Sequence, residues 1–215
     1  MLEAHDLECV RGERTLFSQL SLAVAAGDLL RVAGTNGSGK TSLLRMLCGL
    51  TSPHAGTVHW RGSSIADLRE EFSRELVYLG HSAAVKDGLT AAENLRVACA
   101  LSGVAASDSQ IDAALTEMGL IACLDLPVKV LSQGQRRRAA LARLLLCGHV
   151  PLWILDEPFT ALDVAATEQL RAVIAAQVGR GGMVVLTTHQ DAAQLGDAMR
   201  TLDLDALGVA TGATY

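Results

Sequence analysis

Gly34-Thr35-Asn36-Gly37-Ser38-Gly39-Lys40-Thr41 is the stretch that decides how the rest of this chain is read. It fits G-x-x-x-x-G-K-[ST], and each residue type has a physical reason to stand where it does. The glycines let the backbone wrap a phosphate with its N–H groups turned inward, and a following helix adds the positive end of its dipole. Lys40 supplies a point charge for the β- and γ-phosphates of a nucleotide, and the Thr41 hydroxyl can ligate Mg²⁺. The flanks suit such a loop. Leu29 to Ala33 is a short apolar run that reads as a buried strand, while Leu43, Leu44, Leu47 and Leu50 recur at helical spacing over Thr41 to Leu50. Residues 34 to 41 are therefore expected to bind a nucleotide.

Outward from the loop, strands alternate with helices. Leu2 to Val10, Leu20 to Ala25, Val58 to Arg61 and Leu76 to Leu79 read as strands on the N-terminal side. Leu152 to Leu155 and Met183 to Thr187 read as strands on the C-terminal side, with a helix from Val164 between them. From Thr90 to Met118 the texture is Ala-rich and helical, opening on the capping signature Thr90-Ala91-Ala92-Glu93. Alternation of this kind argues a mostly parallel sheet covered by helices, with a helical insertion from about 82 to 133.

Two further motifs carry chemistry. In Leu152-Trp153-Ile154-Leu155-Asp156-Glu157-Pro158 an apolar strand delivers two carboxylates at its C-terminal end, the edge where open α/β sheets bind ligands. Asp156 can hold Mg²⁺ through water, and Glu157 can orient or deprotonate an attacking water. Leu131-Ser132-Gln133-Gly134-Gln135 precedes three arginines and a periodic helix. Locally it is a helix start, with Ser132 as cap and Gln135 completing an S-x-x-Q box; equally, a Ser hydroxyl, a Gly amide and a helix dipole could form a second anion site. Composition alone leaves both open.

Composition narrows the class. Of 215 residues, 50% are apolar, 3% aromatic and 19% charged, which excludes a disordered chain. The most apolar stretch, Ala139 to Leu155, is interrupted by Arg143, Gly148, His149 and Pro151 and is no membrane span. Eighteen Lys and Arg against 23 Asp and Glu give −5, so no nucleic-acid partner is expected. Met1 to Asp6 lacks the apolar segment of a secretory signal. Cys9, Cys48, Cys99, Cys123 and Cys147 are scattered without a C-x-x-C pair, the pattern of buried free thiols in a reducing compartment.

In order and rough spacing, Gly34 to Thr41, Leu131 to Gln135 and Leu152 to Glu157 resemble the Walker A, LSxGQ signature and Walker B motifs of ABC-transporter ATPases. Ala161-Leu162-Asp163 is similar to their D-loop, and His189 after Thr187-Thr188 to their switch histidine. The resemblance covers nearly the whole chain. It implies an α/β P-loop NTPase fold, RecA-like and mostly parallel, with a small antiparallel β part and a helical ABC-type subdomain. Residues 1–206 would then be a single ATP-binding domain, with the helical subdomain inserted at about 82–133 and a tail at 207–215. It implies ATP and Mg²⁺ as ligands, with Thr41, Asp156 and His81 at the metal and Glu157 and His189 in hydrolysis. It further implies a homodimer in which Ser132, Gly134 and Gln135 of one subunit reach the ATP held by the other.

Two positions depart from the family pattern. Arg11 stands where an aromatic residue usually stacks on adenine; a guanidinium can also stack on a base. His81, in Leu79-Gly80-His81, stands where the Q-loop glutamine is usual; an imidazole can contact a metal's water shell and carries a titratable proton. These departures, with Glu13 to Phe17 and the run from Leu152 to Asp163, resemble the branch that serves bacterial cytochrome c maturation, sometimes called the haem exporter. That likeness implies membrane partners of CcmB type, with CcmC and CcmD. It implies a peripheral place on the cytoplasmic face of the inner membrane and no direct haem binding by this subunit. Another small ABC exporter, or a soluble P-loop ATPase outside transport, are the alternatives. An apolar docking groove for a partner's cytoplasmic helix is expected near His81 to Leu101.

Overall fold

The computed structural model describes residues 1–189 and 199–208. The chain opens with β1 (Leu2–Arg11) and β2 (Arg14–Val24), then β3 (Leu29–Ala33), the phosphate-loop helix α1 (Lys40–Leu47), β4 (Ala55–Trp60), β5 (Ser63–Ser64), α2 (Arg69–Arg74) and β6 (Leu76–Leu79). A helical stretch follows: α3 (Ala91–Leu101), α4 (Asp108–Glu117), two short 3₁₀ turns, α5 (Gln133–Leu141) and α6 (Arg143–Leu146). The chain then returns to the sheet with β7 (Leu152–Leu155), α7 (Val164–Gly179), β8 (Met183–Thr187), β9 (Arg200–Asp203) and α8 (Leu204–Gly208).

Two sheets result. One is antiparallel in the order β2-β1-β4-β5; the other has the order β6-β7-β8-β3-β9, with every pairing parallel. Its central strands β7 and β8 are buried on both faces, which is why they read as continuous apolar runs. Alternation divides the faces cleanly. Trp153, Leu155, Val184 and Leu186 pack toward the helical stretch and α7, while Leu152, Ile154, Met183 and Val185 pack toward α1 and the antiparallel sheet. All four residues of β7 are buried, and each of its three aliphatic side chains is worth about 1.5–3 kcal/mol of transfer free energy. Among the described residues no helix is long and apolar enough to cross a membrane.

Several expected boundaries shift, each for a local reason. The second strand begins at Arg14 rather than Leu20: Gly12, at φ +63°, turns the chain so that Arg11 pairs with Arg14 and Phe17 with Cys9. Register shifts in the pairing, together with positive φ at Asp6 and Gln19, break the alternation that would have shown the longer strand. The strand expected at Val58 to Arg61 runs Ala55–Trp60, because Arg61 adopts φ +51° and leaves the ladder. The helix expected over Thr41 to Leu50 ends at Leu47, where Cys48 caps and Gly49 takes φ +69°. Thr90 to Met118 is two helices, separated by Gly103 and restarted by a second capping box on Ser107. The Thr90 capping box is present as expected. The tail expected at 207–215 lies outside the described residues from 209 onward. All five cysteines are buried and free.

Candidate functional site

Because the five strands run parallel, the segments after β3, β6, β7 and β8 all emerge at one edge. The loop after β3 carries Gly37 and Gly39 at φ +85° and +105°. A Cβ on Gly39 would come within 3.0 Å of the Phe17 ring, and one on Gly34 within 2.5 Å of the Ser38 hydroxyl. A side chain at either place would be crowded and would also be strained by the positive φ. Lys40 Nζ curls back to donate to the carbonyls of Gly34 at 2.7 Å and Thr35 at 2.9 Å. α1 starts without a side-chain cap, and the buried Ser38 Oγ has no protein partner. A cradle of glycine turns, an uncapped helix start, an ammonium and an unpaired hydroxyl fits an anionic phosphate chain.

β7 delivers Asp156, which is buried and doubly held. Its Oδ2 accepts from Thr41 Oγ1 at 2.9 Å and its Oδ1 from Thr187 Oγ1 at 2.7 Å. The same Thr187 oxygen accepts the Glu157 backbone N–H at 2.8 Å. Glu157 sits at φ +49°, a left-handed conformation that a non-glycine residue adopts only where its surroundings enforce it. Its Oε1 lies 3.3 Å from His189 Nε2, within ion-pair distance though not aligned as a hydrogen bond. Thr41 and Asp156 offer hard oxygen donors of the kind Mg²⁺ takes alongside substrate phosphates. Among the described residues no cluster of three or more His, Cys, Asp or Glu could hold a metal by itself.

These groups line one cavity of about 640 Å³. It gathers Asn36, Gly37, Gly39, Lys40 and Thr41 from the loop, Asp156 and Glu157, His189, and both departures from the family pattern, Arg11 and His81. Gly34, Thr35 and Ser38 shape the loop without lining the cavity. Thr35 turns instead to Asp205 of α8, giving its N–H and its hydroxyl to that carboxylate at 2.7 and 3.0 Å. Ser132, Gly134 and Gln135 stand outside the cavity. Ser132 caps α5 in a reciprocal box: its hydroxyl accepts the Gln135 N–H at 3.2 Å, and Gln135 Oε1 accepts the Ser132 N–H at 2.8 Å. The cap reading of that motif holds in full. Gly134 faces Ala161, whose carbonyl would lie 2.8 Å from any Cβ there.

Sequence reading missed several contributors. Thr187, read only as flank, joins the two carboxylate positions; Asp205 anchors the loop; Arg14, Leu16, Ser42 and Thr160 also line the cavity. The TTH sequence at 187–189 was the one signal for any of them. Beside the cavity, and sharing Thr41, His81 and Asp156 with it, lies a mostly apolar groove of about 410 Å³. Leu50, Tyr78, Leu95 and Ala98 line it, with Arg45 and Arg143, where a groove near His81 to Leu101 was expected. Burial, and then the charge of Asp156, push the Tyr78 hydroxyl above its ordinary pKa, so it stays neutral there.

Comparison with known proteins agrees with the motifs. The family model described as ABC transporter matches residues 17–160. The chain is 56% identical over 192 residues to the cytochrome c biogenesis ATP-binding export protein CcmA of Aromatoleum aromaticum, covering 89% of this chain and 90% of that protein. It is 53% identical over 191 residues to the protein of the same name from Nitrosomonas europaea, covering 89% of each. A solved ATP-binding cassette, dimeric in a post-hydrolysis state with ADP and Pi, shares the fold with a TM-score of 0.81 at 23% identity over 94% of each chain.

Proposed function

This chain belongs to the ABC transporter family, and we propose on that premise that it is the ATP-hydrolysing subunit of a transporter serving cytochrome c maturation. The observation that carries hydrolysis is the run of bonds from Thr41 through Asp156 and Thr187 to Glu157, beside Lys40 and within reach of His189. Lys40 and the loop amides bind the β- and γ-phosphates. Thr41 and Asp156, with His81 beside them, would hold Mg²⁺, and the ion would supply positive charge against the phosphates. Glu157 orients the attacking water and accepts its proton, and His189 stands by the γ-phosphate while restraining the Glu157 carboxylate. Arg11 stacks on the base.

Ser132 and Gln135 cap their own helix and, with Gly134, leave an outward face for the nucleotide of a second copy. ATP thus closes a homodimer and hydrolysis reopens it. The names of the close relatives support the export role and the cytochrome c pathway. In this reading a CcmB-type membrane subunit, with CcmC and CcmD, receives the motion. Its cytoplasmic helix seats in the groove beside His81, and this chain rides peripherally on the inner membrane without binding haem.

Glu157→Gln tests the reading. The variant should retain Mg·ATP and accumulate as an ATP-bound dimer, with turnover down on the order of a hundredfold or more. Normal turnover would remove Glu157 from the reaction. Copurification of a CcmB-type membrane protein, lost when a charge is inserted at half-buried Ala98, tests the partner; intact assembly of that variant would reject the groove.

A further inference from the structure

Three arginines follow the Ser132 motif, and they have different fates. Arg136 pairs with Asp87 near the surface, and Arg138 reaches the Met118 carbonyl. Arg137 is buried, with 5% of its surface exposed. Its guanidinium donates only to backbone carbonyls. Nη1 takes Gly80 and His81 at 3.0 and 3.2 Å, Nη2 takes Asp156 and Glu157 at 3.0 and 2.8 Å, and Nε takes Pro158 at 3.4 Å. Every N–H of the fork is thus directed at the segment after β6 or the turn after β7. Burial lowers its pKa from the ordinary arginine value, against the pull of the Asp156 and Glu157 charges. It remains a cation at any physiological pH.

We propose that Arg137 is a positioning residue for hydrolysis: it fixes the backbone of Glu157 and of the His81 segment and ties both to the helix that begins at Ser132. Residue 157 is held from two sides, its N–H by Thr187 and its carbonyl by Arg137. Those two bonds are what keep a non-glycine residue at φ +49° and aim its carboxylate into the cavity. Arg137 lies just beyond the cap of α5, so a displacement of that helix's start acts directly on the Glu157 peptide and on the carbonyls of residues 80 and 81. Closure at Ser132 would thereby be sensed at the hydrolytic carboxylate of the same chain, not only at the nucleotide of the other. A lysine cannot reproduce this. It offers a compact ammonium with three donors in place of a planar fork that serves two segments at once.

The inference rests on the reading of Glu157 as the hydrolytic carboxylate, so the experiment carries Glu157→Gln as a parallel arm. Arg137→Lys and Arg137→Met are made in the full chain and assayed where the unaltered chain turns over Mg·ATP. Nucleotide affinity is measured separately from kcat. Expected is a kcat loss on the order of a hundredfold in Arg137→Met and a smaller loss in Arg137→Lys, as for a reacting group displaced by about an ångström. Mg·ATP affinity stays within about twofold, since no phosphate contact of the loop or of Lys40 is touched. A merely structural arginine would lower the folded fraction or the affinity without this split. Should the methionine variant not fold, the split in Arg137→Lys decides. Full kcat in the lysine variant, or a loss confined to nucleotide affinity, overturns the proposal. If Glu157→Gln is inactive while both Arg137 variants keep kcat, only Arg137 falls. If Glu157→Gln turns over normally, the reading of Glu157 falls first.

Discussion

The edge of the parallel sheet and the start of α5 carry motifs of equal clarity in the sequence, yet only the first gathers its residues around one cavity of the chain. At the sheet edge Lys40, Thr41, Asp156, Glu157 and His189 line one cavity, and all of them but Lys40, which bonds the loop carbonyls, are joined directly or through Thr187. At α5, Ser132 and Gln135 are satisfied by each other and line none of that cavity. The difference is one of partners. A strand end presents its residues to neighbouring strand ends that the same sheet supplies, whereas the capped helix start is satisfied by its own residues and, in the proposed dimer, meets the nucleotide of a second copy.

The largest effect expected on that comparison comes from Lys40→Ala. It removes the charged donor of the sheet-edge half and should weaken ATP binding by about ten- to a hundredfold, from the 1.5–3 kcal/mol typical of a hydrogen bond to a charged group. Equilibrium binding of labelled ATP checks it. Unchanged affinity would mean that Lys40 keeps its bonds to Gly34 and Thr35 when nucleotide is present.

Ser132→Asp addresses the other half. Aspartate caps a helix as well as serine, so the melting temperature should hold, but its negative charge would oppose a phosphate brought by a second copy. Binding by the single chain is expected to be unaltered and turnover to fall about tenfold or more, consistent with like charges meeting in a desolvated interface. Full turnover would leave Ser132 with its capping role alone.

Thr187→Val tests what joins the carboxylates. The isosteric change leaves the Glu157 N–H without its acceptor and Asp156 with one donor fewer, at a cost of about 1–3 kcal/mol for the unpaired buried group. A lower melting temperature and a roughly tenfold drop in kcat, with a raised Mg²⁺ requirement, are the expected outcomes. A variant that keeps full kcat at low Mg²⁺ would show Asp156 oriented by Thr41 alone.

The smallest effect lies far from the chemistry. Burial pushes the thiols of Cys48, Cys147, Cys99 and Cys9 above the ordinary range; at Cys48 the charge of Asp156 adds to it. A group whose folded pKa is raised contributes stability fully present below its unfolded value, about 8.5 for a thiol, and lost as pH rises past it. Melting temperatures should therefore be flat to about pH 8.5 and decline above it, and folded protein should resist alkylation at pH 8. Rapid labelling of the native chain at that pH would contradict the burial.

What was legible in the sequence follows the same division between local and distant causes. The phosphate loop, the carboxylates after β7 and the caps at Thr90 and Ser132 are each set by residues within a few positions of one another. β2 was half hidden because its pairing slips register and its alternation fails around Gln19. Thr187, Asp205 and Arg137 act through partners at the far end of the chain, or on carbonyls that carry no side-chain signature, so no local pattern marks them. The three consecutive arginines read as one basic tract; only the helix phase of α5 in the fold sends the middle one inward.

In the proposed dimer one chain supplies the phosphate loop and a second supplies Ser132 to the same nucleotide. Mixing Lys40→Ala chains with Ser132→Asp chains tests it most directly, because a mixed dimer then holds one site with an intact loop and an intact Ser132. ATP turnover in the mixture is expected to exceed that of either variant alone. A mixture as inactive as its components, with mixed dimers demonstrably formed, would contradict it.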